Sequence, residues 1–267
     1  GSRRAGFWTS LIFIFFPYRA CDMTIRGDYS ELAAVNLIPW ALWAFLGLAR
    51  RPAAGRFLAA SALFAAIVWT HNTSALSFAA FLPLFLLAER LAARRPLLSR
   101  GVAASAGAAA LAIGLSAAMW LPALAEKRHT HIEKMFSISG DFMATERLLK
   151  LRFLFDHDWR YNISAEIDPK YGINMPFGLG WPAWGAAAGA LALAAAGRRR
   201  RFGRRWRARI AALWARFAGL LFLTLEPSRP FWAHAPLAYT LQFPWRLLGF
   251  AAPMAALLAG GEAQKPP

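Results

Sequence analysis

Long apolar runs separated by short clusters of arginine most restrict the fold that this chain can adopt. Of its 267 residues, 58% are hydrophobic and 17% are charged, and the mean hydropathy is +0.36. Soluble domains are about half apolar, with about a quarter of their residues charged. Apolar runs interrupted by clustered charge indicate a polytopic membrane protein. The sequence therefore predicts an all-α transmembrane helical bundle that forms a single domain over residues 1–267.

The predicted bundle has about eight membrane segments, several of them short against the roughly 20 residues that cross a bilayer. Many contain alanine and glycine, which allow helices to approach closely. We expect the chain to be a fragment that lacks N-terminal spans, because it opens on Arg3 and Arg4 and then enters apolar sequence at once. The segments are residues 7–17, 32–49, 57–70, 74–88, 102–121, 176–196, 210–225 and 247–259.

Arginine clusters orient these segments. They fall in the loops at 50–56, 90–100 and 198–209. With eight segments these loops share one side, which the positive-inside rule assigns to the cytoplasm. The sequence thus predicts a multi-pass protein of the bacterial inner membrane. The net charge of +17 reflects this topology and attraction to anionic lipid, and not nucleic acid binding. The loops predicted to face outward are 18–31, 70–73, 122–175 and 226–246.

The outer loop 122–175 is predicted to form an extracytoplasmic loop or cap. Within it, residues 142–155 have apolar side chains at helical spacing, with basic residues between them. This pattern is typical of a helix on the membrane surface. A soluble cap over a pocket would fit the same pattern.

Three acidic residues crowd the outer loop that follows the first segment. The chain has 14 acidic residues, and Asp22, Asp28 and Glu31 fall within ten positions of one another. In a helix, Asp22 would share a face with Arg26, and Asp28 with Glu31. A surface salt bridge would account for the charges. Alternatively, ionisable groups at a span boundary mark a functional cavity.

Other outward-facing residues are candidates for substrate binding. Arg246 opens the last segment against the positive-inside trend, where it would either reach lipid headgroups or bind a phosphate. Trp245 would flank a prenyl chain. His71 and Asn72 lie in the tight turn at 70–73, and Glu126 follows the span at 102–121. These polar residues would otherwise serve only as turn and surface positions.

Metal-binding motifs are weak in this sequence. His129 and His131 are two residues apart, which is a poor spacing for a helical metal site, so no metal ligands are predicted. Cys21 is the only cysteine, and it therefore forms no intramolecular disulfide and no cysteine zinc site. Whether a divalent cation takes part as a cofactor is left open.

Four motifs carry a resemblance to a family. The chain resembles bacterial membrane proteins labelled 6-pyruvoyl-tetrahydropterin synthase-related, and YfhO-like proteins, which are similar to GT-C glycosyltransferases. The resemblance spans about residues 17–261 and implies a GT-C-like helical bundle and a sugar donor on polyprenyl phosphate, without pterin chemistry. Family members have further spans upstream, and the key acid of GT-C enzymes lies in their first outer loop. The motifs are "PYRACDMTIRGDYSELAAVNLIPW", "THNTSAL", "WLPALAEK" and "LQFPWRLLGF".

On this basis we expect a membrane glycosyltransferase-like protein whose partners are the bilayer and a polyprenyl-phosphate sugar. Asp28, or Asp22 in second place, is the expected general base, and Glu31 is the third catalytic candidate. Arg246, with Arg26, would hold the departing phosphate. If the family's upstream acid is the base, the residues of the 18–31 loop, Glu31 among them, instead line the cavity. The alternative function is a non-catalytic transporter of lipid-linked sugar or a membrane binding scaffold; a transporter would show internal repeats, and none is convincing.

Overall fold

The structure is a computed structural model that describes residues 3–131, 144–157, 175–196, 203–235 and 241–262. Across these ranges the chain is helical and has no β-strand, so the all-α prediction is confirmed there. The chain divides into two compact units, and the predicted single transmembrane domain stays a prediction. Unit 1 contains Gly1–Tyr29, Arg147–Ala235 and Phe243–Pro267, and unit 2 contains Ser30–Glu146 and Pro236–Gln242.

The α-helices are numbered here in chain order over the described residues. Short 3₁₀ turns and one π-helical turn join several of them. The α-helices are α1 (Arg3–Ile14), α2 (Pro17–Cys21), α3 (Tyr29–Arg50), α4 (Ala54–Thr70), α5 (Asn72–Ala92), α6 (Arg100–Leu115), α7 (Ala117–Ala125), α8 (Trp181–Ala196), α9 (Arg204–Thr224), α10 (Arg229–His234) and α11 (Leu248–Glu262).

Within the described residues, two helices, α3 and α5, are long and apolar enough to cross a membrane. A third span is added if α6 and α7, bent by 64° at Ser116, form one broken span. The predicted eight segments are therefore not confirmed. Four of the other predicted segments are too short: α1, α4, α8 and α11 have 12, 17, 16 and 15 residues, and about 20 are needed. The fifth, α9, has 21 residues but carries several arginines.

Unit 2 is built around α3, α4, α5 and α6, which run alternately up and down. Phe45, Phe64 and Phe78 meet in its core, with ring centroids 5.1–6.3 Å apart. Gly101 at the start of α6 lies against the backbone of Ala49 near the end of α3. The ends of α3 and α5 and the start of α6 therefore lie together, and this arginine-bearing region is called the arginine end of unit 2.

Unit 1 is built around α11, whose residues are almost all buried and against which α1, α8 and α9 pack. Gly260, near the end of α11, lies against Thr9 of α1, and a Cβ at Gly261 would lie 2.7 Å from Cδ1 of Ile210 in α9. The start of α11 lies beside the other ends of these helices. α1 and α9 therefore run antiparallel to α11.

Residues 147–157 belong to unit 1 and are bound there by backbone hydrogen bonds and by the buried side chains of Leu149, Phe153 and Leu154. Leu149 donates to Thr224 O at 2.8 Å and accepts from Glu226 N at 3.0 Å, and Leu154 O accepts from Leu179 N at 3.0 Å. Short 3₁₀ turns, Ala144–Glu146 and Leu151–Phe155, replace the continuous helix that the spacing at 142–155 favoured. The rest of the predicted cap, 132–143 and 158–174, lies outside the described residues.

We predict that Gly101→Ala destabilises unit 2. A Cβ at this position would collide with the Ala49 carbonyl, which is backbone and cannot turn away. Overpacking of this kind lowers the free energy of unfolding by about 1–3 kcal/mol. Thermal unfolding of the purified protein in detergent, followed by circular dichroism, measures the loss.

Gly114→Ala on the same helix is the matched control. Nothing lies within 4 Å of a Cβ at Gly114, and alanine is the better helix former. This variant should therefore unfold at or above the wild-type temperature. Equal unfolding temperatures for the two variants would contradict the close contact between α3 and α6.

Candidate functional site

A helical turn and a glycine cap bring two carboxylates to one arginine in unit 1. α2 continues into a π-helical turn, Asp22–Arg26, which ends at Gly27. Gly27 has a φ of +61°, a left-handed conformation that glycine adopts without a Cβ clash. The chain therefore turns back, and the Asp28 N–H donates to Asp22 O at 3.0 Å. This local fold sets the side chains of Asp22 and Asp28 on either side of Arg26.

Arg26 bonds three side chains at once. Its Nη1 donates to the Tyr18 hydroxyl at 2.9 Å and pairs with Asp22 Oδ1, and its Nη2 donates to Asp28 Oδ2 at 3.1 Å. The exposed fractions of the side chains are 10% for Arg26, 0% for Asp22 and 21% for Asp28. We call Tyr18, Asp22, Arg26 and Asp28 the Arg26 cluster. One guanidinium serves two carboxylates, and Asp28 is the more accessible of them.

The Arg26 cluster contains the Asp22–Arg26 pair expected from helical spacing. It also contains Tyr18, which the sequence analysis did not single out. Tyr18, Asp22 and Arg26 are four residues apart in succession, so an i, i+4 ladder was the available signal.

Trp245 and Arg246 belong to an aromatic group in unit 1. Trp245 stacks on Phe243 with centroids 4.7 Å apart and contacts Phe177 at 5.2 Å. The Arg246 guanidinium lies 5.1 Å from the Phe243 ring centroid. Trp245 is 4% exposed, so it packs inside the aromatic group and is not available to flank a prenyl chain. Phe243 and Arg246, both half-buried, are the accessible members.

The aromatic group and the start of α2 lie at the same end of unit 1. Gly180 packs on the Pro17 ring, and Phe177, three residues earlier, contacts Trp245. Antiparallel packing on α11 places Arg3, Arg4 and the arginine-rich start of α9 at the other end. Unit 1 thus has an arginine-rich end. The opposite end carries Trp245, Arg246 and the start of α2, the helix that leads into the Arg26 cluster.

Glu31 and His71 meet in unit 2, away from its arginine end. Glu31 is buried in the first turn of α3, where a helix N-terminus favours negative charge. His71 caps α5, and its Nδ1 accepts from the Ser74 amide at 3.2 Å and contacts Ser74 Oγ at 2.8 Å. A carboxylate oxygen of Glu31 and a ring nitrogen of His71 lie within 4.8 Å of each other. Asp28 precedes Glu31 by three residues but belongs to unit 1.

Two predicted binding residues do not join these groups. Asn72 is exposed, and its Oδ1 accepts from the Thr73 N–H at 2.7 Å, so it serves the first turn of α5. Glu126 is exposed after α7, and within the described part of the chain its side chain makes no hydrogen bond or ion pair. That Asn72 and Glu126 line a site with His71 therefore stays a prediction.

No protein-family model, curated protein or solved structure matches the chain. The case for a function therefore rests on the residues and their geometry.

We predict that Arg26→Met strongly destabilises the protein. The change would deprive the buried Asp22 carboxylate of its guanidinium, and loss of one partner of a buried ion pair costs about 3–5 kcal/mol. Adding Asp22→Asn should restore part of the loss, because the remaining group is then neutral. Chemical denaturation of the detergent-solubilised protein measures both effects.

Arg50→Gln is the control, since Arg50 pairs with Glu89 at 3.3 Å and is 43% exposed. Such a pair contributes under about 1 kcal/mol. If Arg26→Met were no more harmful than Arg50→Gln, the Arg26 cluster would not stabilise unit 1.

Proposed function

We propose that the chain is a membrane glycosyltransferase-like protein that uses a polyprenyl-phosphate sugar at the extracytoplasmic face of the membrane. In this proposal it is a multi-pass protein of the bacterial inner membrane. The observation that supports it most is the Arg26 cluster. In it, the partly exposed carboxylate of Asp28 is held by Arg26, which also pairs with the buried Asp22. Ionisable groups are costly near apolar helices, and they are retained there mainly for function.

Asp28 is the proposed general base. It is the accessible carboxylate of the Arg26 cluster, with 21% of its side chain exposed against 0% for Asp22. It would accept the proton of an acceptor hydroxyl as that oxygen attacks the anomeric carbon of the donor sugar. The bond from the sugar to the lipid phosphate breaks in the same step. Asp22 then has a positioning role, since it fixes Arg26, which in turn orients Asp28.

Arg246 is the proposed binding group for the departing lipid phosphate. A guanidinium matches phosphate oxygens in geometry and stabilises the negative charge that forms there. Arg26 is less suited to this role than the sequence indicated, because its nitrogens already bond Tyr18, Asp22 and Asp28. The exposed face of Phe243 would lie beside the first prenyl units.

Glu31 and His71 belong to unit 2, and their part in substrate binding stays a prediction. A carboxylate and an imidazole both form hydrogen bonds with hydroxyl groups, and the Ser74 amide fixes the His71 ring through Nδ1.

We predict that Asp28→Asn lowers sugar transfer at least about a hundredfold, the usual contribution of a general base. The assay is the transfer or hydrolysis of labelled polyprenyl-phosphate sugar by the protein in liposomes. Glu226→Gln is the matched control, because Glu226 is an exposed acid beyond the end of α9. This control should retain wild-type activity.

Full transfer by the Asp28→Asn protein would remove Asp28 from the mechanism. Binding of the labelled lipid by the wild type without transfer or hydrolysis would favour the scaffold or transporter instead of the enzyme.

We predict that Arg246→Gln weakens use of the lipid-linked donor by about tenfold or more, because a charge-assisted hydrogen bond to phosphate is lost. Arg152→Gln is the control. Arg152 is exposed and lies 5.1 Å from the Phe153 ring centroid, so it shares the arginine–aromatic contact. Initial rates at varied donor concentration distinguish the two variants, and equal rates would exclude Arg246 from phosphate binding.

A further inference from the structure

An apolar groove runs along unit 2 between α5 and α6, with Phe64 of α4 in its lining. Its volume is about 550 Å³. Leu82 and Leu87 of α5 line one side, and Ala106 and Ile113 of α6 line the other. α5 is one of the two helices long and apolar enough to cross a membrane. The groove therefore follows an apolar helix of that kind.

The length of the groove fits one hydrocarbon chain. Its lining on α6 extends from Val102 to Ile113, which at 1.5 Å per residue is about 17 Å. That length is close to half of a hydrocarbon core about 30 Å thick, or one leaflet.

Arginines surround one end of the groove. Arg90 and Leu97 line that end, and the loop between them carries Arg94 and Arg95, while Arg100 begins α6. Arg90 bonds the carbonyls of Pro96 and Ala49, so it fixes the loop against α3. The three other arginines are exposed.

The nearby carboxylate does not neutralise these arginines. Glu89 pairs with Arg50 at 3.3 Å, on the α3 side of this end. Arg94, Arg95 and Arg100 thus form a cationic cluster at the mouth of an apolar groove, which is complementary to an anionic headgroup on an acyl chain.

Arg94 has a left-handed backbone conformation, which is unfavourable for residues other than glycine. Its φ is +53°, and it closes α5 with the bonds Arg94 N to Leu91 O at 3.0 Å and Arg95 N to Arg90 O at 2.9 Å. Helices that end in this pattern usually have glycine at the left-handed position. A strained residue that glycine would replace without cost suggests a role for its side chain.

We propose that this groove binds one acyl chain of an anionic phospholipid and that Arg94, Arg95 and Arg100 bind its phosphate headgroup. The groove matches one leaflet in length, and its charge lies where the headgroup of a lipid in that leaflet would be. The site is separate from the Arg26 cluster and does not depend on sugar transfer.

Native mass spectrometry of the full chain in detergent, with equal amounts of phosphatidylglycerol and phosphatidylcholine, tests the proposal. The wild type should retain phosphatidylglycerol in preference. Arg94→Gly should reduce this preference about fivefold, the effect of one arginine near a charged headgroup, while its unfolding temperature stays equal or rises because glycine suits the left-handed position. Arg51→Gln changes an exposed arginine in the loop between α3 and α4 instead of the loop between α5 and α6, and this variant should retain the full preference.

Filling the groove tests the chain-binding half of the proposal. Ala106 and Ala110 line the groove and are exposed, so Ala106→Phe, or Ala110→Phe as a second variant, should occupy it without disturbing the core. Retention of both lipids should then fall.

The proposal is overturned if the wild type retains the two lipids equally, if Arg94→Gly behaves like Arg51→Gln, or if both filled variants retain lipid as the wild type does. A dimer that the filled variants abolish would overturn it too, because the occupant would then be a second copy of the chain.

Discussion

The pairing of Arg26 with Asp22 and Asp28 is the interaction on which the structure of the Arg26 cluster depends. A charge taken out of water is costly unless an opposite charge and hydrogen bonds replace the lost solvent. Asp22 is fully buried, so its position requires Arg26, and the other donor nitrogen of Arg26 is directed to Asp28. Tyr18 and Gly27 complete the arrangement, one by its hydroxyl and the other by its left-handed backbone. One short segment, residues 17–28, thus determines which carboxylate remains accessible.

Charge is separated along each unit considered by itself. In unit 1, the antiparallel packing on α11 places arginines at one end and the aromatic group with Arg246 at the other. In unit 2, Arg50, Arg90 and Arg100 lie at one end, and Glu31 and His71 at the other. Within each unit, the sequence indicates this separation of charge. Helices that follow one another and alternate in direction place every second loop at the same end, and the arginines lie in every second loop.

The sequence predicted best where a helix is long and apolar. The segments at 32–49, 57–70 and 74–88 correspond closely to α3, α4 and α5, since hydropathy and helix length agree there. It predicted poorly where backbone geometry decides: the break at Ser116, the 3₁₀ turns in 144–157 and the left-handed Arg94 have no hydropathy signal. Trp245 was expected to be accessible, but it is buried beneath Phe243, because stacking among three aromatic rings depends on segments far apart in sequence. Which side chains touch one another could not be anticipated from the sequence.

The anchoring of the segment 144–157 has a consequence for how this region can vary. Its ties to α9 and to the 175–180 stretch run through the amides and carbonyls of Leu149, Leu154 and Leu179. Peptide groups are the same for every residue except proline, so exposed positions such as Leu151 and Arg152 can change what the surface displays, whereas the buried side chains of Leu149 and Leu154 are constrained by packing. Evolution could thus diversify the contact surface of this strap while its path across the helices stayed constant.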